Sequence, residues 1–116
     1  MIRLLAPLMF LACTAQAAER PLAGAEIRAL LPTIKALGDK TQQTFGADGK
    51  TVYIDNGRAT FGTWWTSGDQ YCSNWPPAAG HACYDVLLDE LSSGDTHLIW
   101  IGDSGRRFVD LIIPKE

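Results

Sequence analysis

The chain has 116 residues, with 10 Lys or Arg against 13 Asp or Glu and a net charge of −3. That length suits one domain and not two. The densest basic spot is Arg106-Arg107. Nucleic acid and anionic membrane surfaces both require clustered Lys and Arg, so both are disfavoured as partners.

Met1-Ile2-Arg3 is a short charged start, Leu4 to Ala12 is apolar apart from one Pro, and Ala15-Gln16-Ala17 is an A-x-A box. This pattern predicts a secretory signal peptide over residues 1–17 and a mature domain over 18–116, in the periplasm or secreted. Arg3 leaves with the leader, so the mature chain is one unit more negative. Phe10-Leu11-Ala12-Cys13 offers a rival reading, a lipoprotein anchored through Cys13. Phe and Leu suit that processing site poorly, and cleavage after Ala17 is the expectation. No later stretch approaches the ~20 apolar residues that a helical membrane span needs.

Ala23 to Leu31 reads as a short helix. Ile27, Leu30 and Leu31 make one apolar stripe, and Pro32 stops it. Beyond Pro32 the chain reads as strands separated by turns: Thr33–Leu37, Thr41–Phe45, Thr51–Asp55, Arg58–Thr66, Gln70–Trp75, Cys83–Asp89, His97–Ile101 and Arg107–Ile113. Asp48-Gly49 and Asn56-Gly57 are hairpin signals, because tight turns between twisted strands need positive φ. Strands joined this tightly are antiparallel. The fold predicted is mainly β, a small antiparallel meander of about eight short strands curled into a barrel or strongly bent sheet. The N-terminal helix then covers one open end or face. Strand alternation sends Trp64 and Trp65 to opposite sides, so one of the two belongs in the core.

Cys72 and Cys83 are the cysteines that remain after export, and an oxidising compartment predicts a disulfide between them. A metal site built from Cys72, His81 and Cys83, with His97, is the competing arrangement. It lacks a second His near the Cys pair and any Met after the leader, and the disulfide is preferred. No G-x-S-x-G elbow is present, and bridged cysteines supply no nucleophile. Paired carboxylates could be drawn from Asp85, Asp89, Glu90 and Asp110. Asp85, mid-strand, is the one to inspect for burial; its ordinary role is a salt bridge or a turn hydrogen bond. No catalytic, cofactor or metal set is assigned.

Ser67-Gly68-Asp69-Gln70-Tyr71 has the form S-G-x-x-Y and resembles one motif of the periplasmic C-type lysozyme inhibitors. These are small exported β-barrels whose motif loop enters the lysozyme cleft. The family's second motif, Y-x-x-x-T-K-G, has no counterpart: Tyr84-Asp85-Val86-Leu87 is followed by Leu88-Asp89-Glu90. A broader pattern covers most of the mature chain: A-E-I-R-A-L-L at 25–31, G-T-W-W at 62–65, D-Q-Y-C-S-N-W-P-P at 69–77 and A-C-Y-D-V at 82–86. It resembles a group of small exported proteobacterial domains of unknown function with a W…YC…W…CY pattern. That resemblance implies export, the disulfide and a compact β fold, and it carries no activity.

Three functions follow, in order. The first is a non-enzymatic periplasmic binding or interaction module for a protein or small-molecule partner in the envelope, without cofactor. The second is a protein inhibitor of an envelope enzyme such as lysozyme. The third is a small hydrolase using Asp85 with His81 or His97. Candidate interaction residues are Ser67, Gly68, Tyr71, Trp64 and Trp75. Trp75, beside Pro76-Pro77, is expected to pack on Tyr84 or on the disulfide.

Overall fold

Alternation of inward and outward side chains along short strands, with turn residues between them, closes this chain into a barrel. A computed structural model describes residues 19–116. The predicted leader 1–17, with Cys13, and the predicted mature start Ala18 lie outside the described residues. The strands are β1 (Glu19–Pro21), β2 (Ile34–Gly38), β3 (Thr41–Phe45), β4 (Lys50–Asp55), β5 (Arg58–Ser67), β6 (Gln70–Asn74), β7 (Ala82–Glu90), β8 (Thr96–Ile101) and β9 (Arg107–Pro114). The helix α1 spans Gly24–Leu30 and runs into a 3-10 turn at Leu31–Thr33. From β2 to β9 each strand pairs antiparallel with the next. β9 then pairs back on β2, Ile34 opposite Pro114 and Leu37 opposite Leu111, which closes an eight-stranded antiparallel barrel. Closure removes the free edges that an open meander of this length would expose.

The predicted strands match the observed ones to within a residue or so at each end. The Asn-Gly turn takes the conformation its residues favour, with φ of 53° at Asn56 and 85° at Gly57. β1 is the element the sequence reading lacks. β6 pairs with β7 only as far as Gln70 opposite Asp85. Further along, the same edge of β7 would be bare. β1 fills it, with Glu19 opposite Asp89 and Pro21 opposite Leu87, and Leu22 N–H extends the pairing to the Val86 carbonyl at 2.8 Å. Satisfying those backbone groups outweighs the weak strand propensity of Glu-Arg-Pro.

One end of the barrel is sealed. Ile27, Leu31 and Leu22 join the buried core with Phe45, Trp64, Val86 and Leu98. Each such aliphatic side chain contributes roughly 1.5–3 kcal/mol by leaving water. The N-cap position of α1, Ala23, has no capping oxygen of its own. Two other side chains serve instead. The Asp69 carboxylate in the β5–β6 turn accepts the Gly24 N–H at 2.9 Å, and Glu26 accepts the Ala23 N–H at 3.2 Å. Gly24 also has no room for a side chain, because an added Cβ would stand 2.1 Å from the Gly68 carbonyl oxygen. The helix is thereby fixed to the turns at this end. No helix among the described residues is long and apolar enough to cross a membrane.

Candidate functional site: the open mouth of the barrel

The turns at the other end are β2–β3, β4–β5, the longer 75–81 loop and β8–β9. Nothing among the described residues plugs the space between them, and a cavity of about 430 Å³ opens there. Its wall is built by alternation: on each strand every second residue faces inward. β3 and β5 contribute Thr41, Gln43 and Thr60. Tyr53, Tyr71, Ser73 and Tyr84 come from β4, β6 and β7. Trp75 follows β6, and Trp100, Phe108 and Asp110 complete the ring from β8 and β9.

The floor is aromatic. Phe45, fully buried, stacks on Trp100 at 6.0 Å and meets Tyr71 edge-on at 5.7 Å. Tyr71 in turn meets Trp100 at 4.9 Å, and Tyr84 meets Phe108 at 6.3 Å nearer the opening. These offset and edge geometries are the ones that aromatic quadrupoles favour. Polar groups sit among the rings in fixed positions. Gln43 Nε2 donates to Tyr71 Oη at 3.2 Å and to Thr51 Oγ1 at 2.9 Å, and the Thr51 hydroxyl donates to the Thr44 carbonyl at 2.8 Å. Burial pushes the Tyr71 phenol up to about 12, against the opposing effect of hydrogen bonds from Ser73 and Gln43, so it stays protonated at neutral pH.

Asp110 is the charged residue of the lining. Its Oδ2 accepts the Trp100 Nε1–H at 2.9 Å. Burial raises its carboxyl above the ordinary range, and the Trp100 hydrogen bond offsets only part of that.

Trp75 forms part of the rim and is half-buried. Its Nε1–H donates to Ser73 Oγ at 3.1 Å, and its ring meets Tyr53 edge-on at 6.2 Å. The ring lies over Gly62, where an added Cβ would stand 2.7 Å from Trp75 Cε3. The expected packing of Trp75 on Tyr84 or the disulfide is therefore corrected to Tyr53 and Gly62. Alternation explains why the bridge is out of reach: Tyr71 and Ser73 face inward, which turns Cys72 outward. The Cys72–Cys83 disulfide joins directly opposed residues of β6 and β7, Cα atoms 4.0 Å apart, on the outward face of the barrel wall, with Cys72 itself fully buried.

The five candidate interaction residues separate. Tyr71 and Trp75 line the cavity. Trp64 is a core residue, 7% exposed, its Nε1–H donating to the Gly46 carbonyl at 2.9 Å. The exposed member of the tandem pair is Trp65, which lies against His81 on the outside, ring centroids 5.5 Å apart. Ser67 and Gly68 are exposed, but in the turn beside the α1 N-terminus, at the end away from the mouth.

The carboxylate worth inspecting for burial proves to be Asp110 and not Asp85. Asp85 is exposed on the outer face, where Gln70 Nε2 donates to it at 3.1 Å. Asp85 stands opposite Ile101, whereas His97 stands opposite Asp89, four residues along the ladder, a distance of roughly 13 Å. His81 is likewise four residues from Asp85 in the chain, on the exposed approach to β7. The chain does not bring Asp85 and either His together as a hydrolytic pair. No group of three or more His, Cys, Asp or Glu side chains suited to a metal ion occurs among the described residues.

Sequence reasoning missed Gln43, Tyr53, Trp100 and Phe108 as site residues, and it named Asp110 among the carboxylates that could pair but singled out Asp85 instead. The signal for Phe108 and Asp110 was present in β9, where Phe108, Asp110 and Ile112 alternate on one face. A carboxylate at an inward position of such a strand is the anomaly to look for. Comparison with protein-family models, with curated proteins and with solved structures returns no match.

Proposed function

We propose that this protein is a non-enzymatic binding module of the cell envelope and that its ligand is a small molecule held in the mouth of the barrel. The observation that carries this reading is the 430 Å³ cavity. Its size falls in the range of small-molecule sites, and its composition, mostly aromatic with a few fixed polar groups, is the usual one for such sites. An eight-stranded barrel is about wide enough either to be filled by its own side chains or to hold one small ligand. Here the helix end is filled and the other end is not. The walls come from strands of a closed, disulfide-tied barrel, so the site is largely formed before a ligand arrives.

Export rests on the leader pattern and on the resemblance to small exported proteobacterial domains. The mass of the protein recovered from the envelope tests it. A chain beginning at Ala18 fits simple cleavage, and a diacylglyceryl group on Cys13 would replace that picture with a lipid-anchored one.

Binding is tested by titrating the mature protein with Nile red, a neutral apolar dye, and by repeating the titration with Thr60→Trp. Thr60 is an exposed position on the inner wall at the mouth, so a large ring there fills the cavity without entering the core. The dye should bind the wild type one to one, and the variant at least ten-fold more weakly. Equal binding to both, or binding to neither, would overturn the reading.

Inhibition of an envelope enzyme is the second reading. It is supported by the exposure of Ser67 and Gly68 in the S-G-x-x-Y turn. A lysozyme activity assay with excess protein decides it. Undiminished activity ends this reading without touching the first.

A further inference from the structure

We propose that the ligand of the mouth is an organic ammonium cation, with Asp110 as its counter-ion and the surrounding aromatic rings as its cage. This rests on the small-molecule reading given above and narrows it to a chemical class.

Charge at the site points one way. Among the residues lining the cavity, Asp110 is the charged one. Its single described hydrogen-bond donor is the neutral Trp100 indole, through Oδ2, and no described cation pairs with it. The turns around the opening do not compensate: Asp39, Asp55 and Asp103 stand against Lys40, Arg58, Arg106 and Arg107, and Arg107 is already paired with Glu19. A ligand entering this space therefore meets one uncompensated negative charge in a partly dehydrated setting. There an opposite charge is attracted far more strongly than in water, and an anion is repelled.

The rings add a second, independent preference. Trp100, Tyr84, Phe108, Tyr53 and Trp75 surround the same space. An aromatic face attracts a cation, and the attraction grows as water is excluded. The chain already demonstrates this at the rim, where the Arg106 guanidinium lies over the Phe108 ring, 5.0 Å from its centroid. Arg106 is exposed and forms no salt bridge with Asp110, and among the described residues no cation lies over Trp100, Tyr84, Tyr53 or Trp75. A compact inorganic cation would use the carboxylate alone and would leave the aromatic wall wet. A cation with an apolar body, such as a quaternary ammonium group on an acyl or aryl tail, uses both.

The test compares charged probes with carbon isosteres of the same shape. Acetylcholine is paired with 3,3-dimethylbutyl acetate, and benzyltrimethylammonium with neopentylbenzene. Binding is followed by the fluorescence of Trp75 and Trp100 and by calorimetry. At least one charged probe should bind the wild type ten-fold or more tighter than its isostere. Asp110→Asn, which keeps the acceptor for Trp100 and whose fold is checked by its melting curve, should reduce that preference to near one. Asp39→Asn, a rim carboxylate outside the lining, should leave it intact. Equal affinity for charged and neutral probes overturns the cation assignment and leaves the small-molecule reading standing. A charge preference that survives in Asp110→Asn overturns the role of Asp110. Binding of none of the four probes overturns the cation assignment, and the Nile red titration then decides separately whether the mouth binds at all.

Discussion

Gly62→Ala adds one methyl group at the point where the geometry of the mouth is tightest. Gly62 faces inward on β5 beneath the Trp75 ring, and a Cβ there would stand 2.4 Å from the Asn74 carbonyl oxygen and 2.7 Å from Trp75 Cε3. Comfortable carbon contacts begin near ~3.5 Å, so the neighbours must retreat by roughly 1 Å. The carbonyl belongs to β6 beside the Thr63–Asn74 pair, and it cannot swing away as a side-chain tip would. Overpacking of this kind costs about 1–3 kcal/mol. Removing a glycine from a strand returns only about 0.5–1 kcal/mol. Taking the middle of each range, the balance is a net loss of about 1.25 kcal/mol, and near 4–8 °C per kcal/mol for a domain of this size the melting temperature should fall by roughly 5–10 °C. Trp75 should also be pushed off Tyr53, and its fluorescence should shift. Gly102→Ala is the control at the same end of the barrel. A Cβ there lies 3.4 Å from Tyr84 Cε2, an ordinary contact, and the melting temperature should stay within a few degrees. A Gly62→Ala protein that melts at or above the wild type with unchanged Trp75 emission would refute the argument.

The Cys72–Cys83 bridge should leave no titratable thiol in the unreduced mature protein, and its reduction should lower stability by on the order of 3 kcal/mol in the chain-entropy model; two reactive thiols without reductant would contradict it. Asp69→Ala removes the carboxylate that caps α1 from 45 residues away. It should cost about 1 kcal/mol, read as a melting shift of several degrees with probe binding at the mouth unchanged. Asp110→Asn should raise the melting temperature at pH 7, because burial disfavours the Asp110 carboxylate in the folded state. An acid whose folded pKa is raised favours folding below its unfolded value, near ~3.9, and that contribution is lost as pH rises through the folded value. The advantage of the variant should therefore shrink as pH is lowered toward 4; an advantage that grows on acidification would have the wrong sign.

Most of the barrel was legible in the sequence because its signals are local. Turn residues with positive φ and alternating apolar positions fix where strands stop and which side chains share a face. β1 was not legible, since Glu-Arg-Pro has no strand character of its own and forms a strand only because β7 outruns β6. The partner of Trp75 was equally hidden. Alternation predicts that Trp75 and the disulfide take opposite faces, but the space over Gly62 depends on how closely β5 and β6 approach. The mouth itself follows from closure. Tyr53, Tyr71, Tyr84, Trp100 and Phe108 lie on five different strands, and the β9–β2 seam is what brings those strands into one ring. The S-G-D turn shows the limit of motif reading. Its Asp69 carboxylate is spent within the molecule, on the N-terminus of the helix.

The two ends of the barrel obey different rules, and the difference bears on function. At the helix end, Ile27, Leu31, Phe45 and Leu98 are fully buried, and the backbone donors at the start of the helix find carboxylate acceptors. The exception at this end is Asp89 Oδ1 on β7, which is buried without a hydrogen-bond partner among the described residues. At the mouth the same eight strands carry a carboxylate held partly out of water without a cationic partner, and a tryptophan left only half-buried at the rim. An aliphatic residue at 110 would remove the buried charge, whereas any larger residue at 62 would collide with Trp75 and the Asn74 carbonyl. Features that cost stability persist where something else depends on them. Here both border one cavity, and on the proposed reading both would gain from its occupation: a cation would neutralise Asp110, and a ligand would cover the exposed side of Trp75. On that reading, part of what the mouth costs the fold is what a bound ligand would recover.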